Sequence, residues 1–185
     1  MKPTPVPATS PPATTSSDLV GKMALRFGVA GGLLCAGWML GLQLTGNNPF
    51  GPKQILAQLV VPLLAVAAEW RLRQRLAPEK PGAGRTLTLG GLVVLLSALI
   101  SASSVVGLAS GAGETALARN RAETREIVLA QQQAVPKEQR NLAVEKQQLE
   151  KVGTLTVSDM AISNFTVTLL LGMALAVPGG VFFRE

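Results

Sequence analysis

Glu69 stands four residues before Arg73 at the edge of an apolar run, Gln54 and Gln58 share that spacing inside the run, and Asn164, Thr166 and Thr168 sit within another. These side chains are what the chain offers for binding, relaying or conducting anything. A carboxylate held in a membrane marks a proton relay or an ion path, because hydrocarbon makes it expensive. Glu69 therefore reads either as the coupling carboxylate of a proton-driven carrier or as half of an interfacial ion pair with Arg73, the spacing at which helical pairs form. The ion pair is the expectation, since every charge lies at the edge of an uncharged window. The amides and hydroxyls suit a polar path or hydrogen bonds between packed helices equally well.

The missing residue types narrow the chemistry further. There is no His and no Tyr, and Cys35 is the only cysteine. The usual zinc and iron ligand sets are therefore excluded, as is an intramolecular disulfide. No cofactor, no metal and no enzymatic activity are expected from this inventory. The glycines from Gly107 to Gly113 have the look of a phosphate loop but lack its lysine, and Gly82 and Gly84 lack the third glycine of a dinucleotide fingerprint. The net charge of +6 is not matched by interleaved aromatics, so nucleic acid is not an expected partner.

The elements that must position these groups follow from composition. The 185 residues are 48% hydrophobic and only 15% charged, well below the usual charged share of a soluble domain. Charge is absent from Phe27–Pro52, Gln54–Ala68, Thr86–Gly113 and Met160–Phe183. The expected fold is all-α: a polytopic membrane protein of four transmembrane helices, over about 27–46, 54–70, 87–108 and 160–181. A polar helical loop, 114–159, joins spans three and four. It holds seven basic and seven acidic residues and should break near Pro136. Residues 1–19, rich in Pro, Thr and Ser, form a disordered tail ahead of the 20–185 membrane domain. Span two is the short one, with fifteen uncharged residues around Pro62, and is expected to cross rather than re-enter. Thr156 with Asp159 three residues on predicts a capping box at the start of span four.

Small residues supply the packing faces, because lipid gives no hydrophobic drive between helices and close backbone approach must replace it. Gly28 with Gly32, Gly37 with Gly41, Gly107 with Gly111, and Gly172, Ala176 and Gly180 recur at helical spacing. Packing inside one bundle is their expected use; a homo-oligomer is the other. Orientation rests on Arg71, Arg73, Arg75, Lys80 and Arg85 after span two, against Lys53 alone in the turn before it. The positive-inside rule then makes both termini cytoplasmic and puts loop 114–159 outside, where it can meet a protein partner. Val128, Val135, Leu142 and Leu149 repeat every seven residues there, without the second apolar position that a coiled coil requires.

This arrangement resembles a bacterial family of short four-span membrane proteins catalogued only as a domain of unknown function. The resemblance runs from about Val20 to the end. It rests on Phe27–Gly32, the basic Trp70–Arg75, Arg85–Gly91 with the Ser-rich Leu95–Val106 after it, and the long polar loop. Where members commonly carry an aromatic or acidic residue, this chain has Leu87–Thr88–Leu89. The resemblance implies a bacterial inner-membrane location and no particular activity. The reading is thus a non-enzymatic integral membrane protein, an accessory or interaction subunit; the alternative is a small carrier or channel subunit. The carrier reading requires Gln54, Gln58, Asn164 and Thr168 to converge on one water-accessible cavity.

Overall fold

The computed structural model describes residues 16–136 and 140–184, and these are helical apart from short connections. Most of the expected tail lies outside the described residues, but its boundary moves. Helix α1 already runs at Ser16–Leu44, with Asp18 in its first turn. An acidic side chain there faces the unpaired N–H groups and the positive end of the helix dipole. Lys22 and Arg26 ride on its exposed side, so the helix begins well ahead of the uncharged window that opens at Phe27. It ends in a Schellman cap: Gly46 takes φ +72, its N–H donates to the Gln43 carbonyl at 3.1 Å, and the Asn47 N–H donates to that of Leu42 at 2.8 Å. Glycine makes that left-handed position cheap.

The second span is longer than its uncharged window. A turn of 3-10 helix at Pro52–Gln54 leads into α2 (Ile55–Gln58) and α3 (Val60–Leu76). Pro62 explains the break at Leu59, since it offers no N–H to the Gln58 carbonyl four residues back and crowds it. Beyond Leu59 the helix carries its basic residues out to Arg75.

Helix α4 (Ala83–Ala134) continues the third span for 52 residues, interrupted only where Gly113 adopts φ 68, ψ −169. It stops at Val135, before Pro136. Asn141 caps α5 (Leu142–Gly153), its side-chain oxygen accepting from the Ala143 and Val144 N–H groups. Helices α4 and α5 form a hairpin tied at both ends: Gln132 donates to the Glu145 carbonyl at 3.1 Å, and Arg121 donates twice to that of Leu155. The capping box at Thr156–Asp159 is present and opens α6 (Val157–Phe182).

Four helical stretches, Ser17–Leu44, Pro52–Leu76, Ala83–Ala134 and Val157–Phe182, are long and apolar enough to cross a membrane. The chain is therefore an all-helical, multi-pass membrane-type bundle. The Arg119 guanidinium reaches the Gly46 carbonyl at 2.7 Å at the hairpin end, and Gly82 donates to the Arg184 carbonyl at 3.2 Å at the opposite, arginine-rich end. Leucines such as Leu33, Leu63, Leu99 and Leu170 face outward, whereas Ala, Val, Gly and Ser fill the interior. That inversion is what a bilayer demands, because Leu gains nothing by leaving lipid while small residues let backbones close up.

The buried residues of α6, Met160, Asn164, Thr168, Gly172, Ala176 and Gly180, repeat every four positions. They form one ridge of the kind that interlocks with a neighbouring helix. A Cβ on Gly172 would collide with Val94, and one on Gly180 would lie 2.8 Å from Leu87. On α1, Gly28 and Gly32 meet Leu96 and Ile100 of α4 in the same way. Gly31, Gly90 and Gly179 are equally close to neighbours and were not singled out by spacing. Gly37, Gly41, Gly107 and Gly111 depart from the expectation: all four are exposed, with nothing within 4 Å. The face of α1 that turns to α4 runs through Gly28, Gly32, Cys35 and Met39, and Gly37 and Gly41 fall on its far side.

Candidate functional site: a polar cavity and a buried carboxyl

A cavity of about 590 Å³ opens at the hairpin end between the start of the second span, α4 and α6. Gln54, Gln58 and Asn164 all line it, together with Asn120, Thr124 and Ser163, on apolar walls that include Phe50, Val105 and Val167. The bend at Leu59 turns Gln54 and Gln58 to this side, and the four-residue ridge of α6 presents Asn164. Asn164 is 4% exposed, and neither atom of its amide has a hydrogen-bond partner. Thr168, the fourth residue expected there, does not line the cavity; it lies one turn deeper, fully buried with its hydroxyl also unpartnered. The contacts Gly90 with Ala176 and Gly172 with Val94 fix the antiparallel register of α4 and α6. Continued by two turns, that register brings Ser101 level with Asn164, but Ser101 lies beside the Cys35 thiol of α1 and does not line the cavity. Buried amides and hydroxyls are nearly always satisfied, so two orphans in succession on α6, Asn164 on the cavity wall and Thr168 a turn beneath it, call for an explanation. Thr166 is exposed on the other side of α6 and takes no part.

Three other polar residues of the lining are already engaged. Gln54 donates to the Met39 sulfur and Asn120 to that of Met160, while the Asn120 side-chain oxygen accepts from Asn48 at 3.0 Å. Asp159 reaches the rim, but one of its oxygens is held by the Thr156 N–H and hydroxyl in the capping box. The cavity thus offers chiefly neutral donors and acceptors. Beyond Thr168 the bundle closes over Val61, Ala65 and Val94, all fully buried.

The second site corrects the ion pair expected of Glu69. Its side chain is 0% exposed, and neither carboxylate oxygen has a hydrogen-bond partner. Arg73 is exposed and forms no ion pair with it. The residues four apart on a helix share a face only approximately, and here α3 rotates Glu69 inward with Ala65, Ala68 and Leu72 while Arg73 stays outside. The carboxyl lies where two helices lack side chains: a Cβ on Gly90 would collide with one oxygen, and a Cβ on Gly179 would lie 2.5 Å from the other. Neither glycine's spacing hinted at this, because the feature they accommodate is on a third helix.

Arg71, Arg73, Arg75, Lys80 and Arg85 are all exposed at the arginine-rich end. In the hairpin, Arg140 makes a two-pronged contact with Glu145, at 2.7 and 2.8 Å. The Arg140 hydrogen bond holds the Glu145 carboxyl below its ordinary value of 4.5. A lowered carboxyl contributes stability above that ordinary value and loses it as pH falls through the folded one. Amide exchange in the first turn of α5, corrected for its intrinsic rate, should accelerate as pH drops below the ordinary carboxylate range. In Arg140→Ala that acceleration should be absent; an unchanged profile would show that the contact contributes nothing. Among the described residues no group of three or more His, Cys, Asp or Glu comes together.

No family model, curated protein or solved structure matches this chain. What can be said of its function therefore comes from these two sites.

Proposed function

We propose that this is a non-enzymatic integral membrane protein that admits a small, uncharged, hydrogen-bonding solute to the cavity at the hairpin end, as a small carrier or channel subunit. The observation that carries this over the accessory-subunit reading is the convergence of Gln54, Gln58 and Asn164 on one cavity, with the Asn164 amide unpartnered. A site built to bond a solute leaves such groups open until the solute arrives, and apolar walls with a few polar groups are the usual composition of a ligand pocket. Membership of the four-span bacterial family, a cytoplasmic-membrane location and cytoplasmic termini belong to the same proposal. The basic residues at the end of α3 and in the segment that follows it support that orientation.

The accessory reading retains one observation of its own. Leu142 of the hairpin is 75% exposed, and Val144 two residues on and Val135 at the end of α4 are exposed as well. A protein partner outside the bundle would cover such residues.

Proteoliposomes challenged with amides, polyols and sugars in an osmotic swelling assay test the carrier reading. Faster swelling than empty vesicles for at least one solute, abolished in Asn164→Leu, is expected. In a Cys35→Ser background, Asn164→Cys should react with a water-soluble maleimide, whereas Leu170→Cys, on the outer face, should not. Unreactive Asn164→Cys together with swelling no faster than empty vesicles would reject this reading in favour of the accessory one.

A further inference from the structure

We propose that Glu69 is a proton-binding site, a carboxyl that takes up and releases a proton inside the helical bundle. It goes beyond the solute cavity and does not depend on it. An ionised carboxylate without partners is very costly in a low-dielectric interior, so the group must be neutralised by something that fits beside it. A metal ion does not fit: hard cations take six or more oxygen ligands, and Glu69 brings two oxygens against the glycine backbones of α4 and α6. One turn before Gly90 on α4, the buried Thr86 hydroxyl donates to the Gly180 carbonyl at 2.7 Å. A proton needs no further ligand.

Among the described residues no cation is positioned to neutralise it instead. From α3, Arg71, Arg73 and Arg75 point to the exterior; from α1, Lys22 and Arg26 are exposed, as is Asp18; from α4, Arg85 is exposed. Helix α6 faces Glu69 with Ala176 and Gly179, and its charged Arg184 lies beyond the helix end. The glycines supply the room. Gly90 and Gly179 also let α4 close on Ala176 and α6 on Val66, but in both cases the nearest atom to an added Cβ is a carboxylate oxygen of Glu69, so a larger residue at either position would expel the acid first.

Dicyclohexylcarbodiimide, an apolar reagent that reacts with protonated carboxyls, provides the test on the full-length protein in proteoliposomes. The acid's proton passes to a carbodiimide nitrogen as its oxygen bonds the central carbon, and the acyl group then migrates to nitrogen. Peptide mass spectrometry should find the adduct on Glu69. Labelling should fall about tenfold for each pH unit above the midpoint, and Glu69→Gln should be unlabelled. Infrared spectra of the unmodified wild type across the same pH series should show a carboxylic-acid carbonyl band that disappears reversibly, which holds the test even if the variant misfolds. An unlabelled Glu69 with no such band overturns the proposal. So does labelling that stays constant with pH, because a permanently neutral acid neither takes up nor releases a proton. Retained labelling alongside failed solute swelling would leave this site standing and remove only the cavity reading.

Discussion

Gly172→Leu is expected to destabilise the bundle by about 3 kcal/mol, the upper end of what overpacking costs. The new Cβ would meet both methyls of Val94, one of them at 2.7 Å, and neither helix has slack to give. The backbones of α4 and α6 approach closely between Gly180 and Gly172, so displacement at Gly172 strains its neighbours too. Gly107→Leu adds the same side chain to a position with nothing within 4 Å and should fall within about 0.5 kcal/mol of wild type. Denaturant-driven unfolding in mixed micelles compares the two directly. Val94→Ala combined with Gly172→Leu should restore part of the loss, since it removes the colliding methyls. Equal losses for the two single variants would mean that α4 and α6 do not pack in this register.

Hydropathy made the helices legible because four uncharged windows have no other stable home, and the cap at Thr156–Asp159 was legible because its two bonds need only local spacing. The packing faces were only half legible. A small-residue pair every four positions states that a helix can be approached closely, yet it does not say from which side. Gly28 and Gly172 face a neighbour, while Gly37 and Gly107 satisfy the same spacing and face outward. Glu69 was misread for a related reason. The i,i+4 rule describes an isolated helix surface, and nothing in α3 reveals that α4 and α6 leave a gap at Gly90 and Gly179. The cavity was partly legible, since Gln54, Gln58 and Asn164 stood out as polar groups in apolar windows. Asn120 did not, because in the sequence it belongs to a polar helix where an amide carries no signal.

The largest effect is expected from topology. A cysteine replacing Gly82 and one replacing Gln131, both exposed, should react with an impermeant maleimide from opposite sides of the membrane. A reporter active only in the cytoplasm should report when fused after Glu185. The second span decides this outcome, and its length supports a crossing. Fifteen uncharged residues would reach only about 22 Å, short of a hydrocarbon core of about 30 Å. The helical stretch Pro52–Leu76 has 25 residues, about 37 Å, so crossing requires no thinning of the bilayer. Its added length comes from Trp70 and the arginines that follow, which sit at the interface where aromatic and basic side chains are favoured. A re-entrant segment would instead carry Arg71, Arg73 and Arg75 to the face from which basic loops are excluded. It would also strand α3 from Gly82, whose N–H bonds the end of α6. Labelling of both cysteines from one side, or a silent but stably expressed fusion, would overturn the four-span topology.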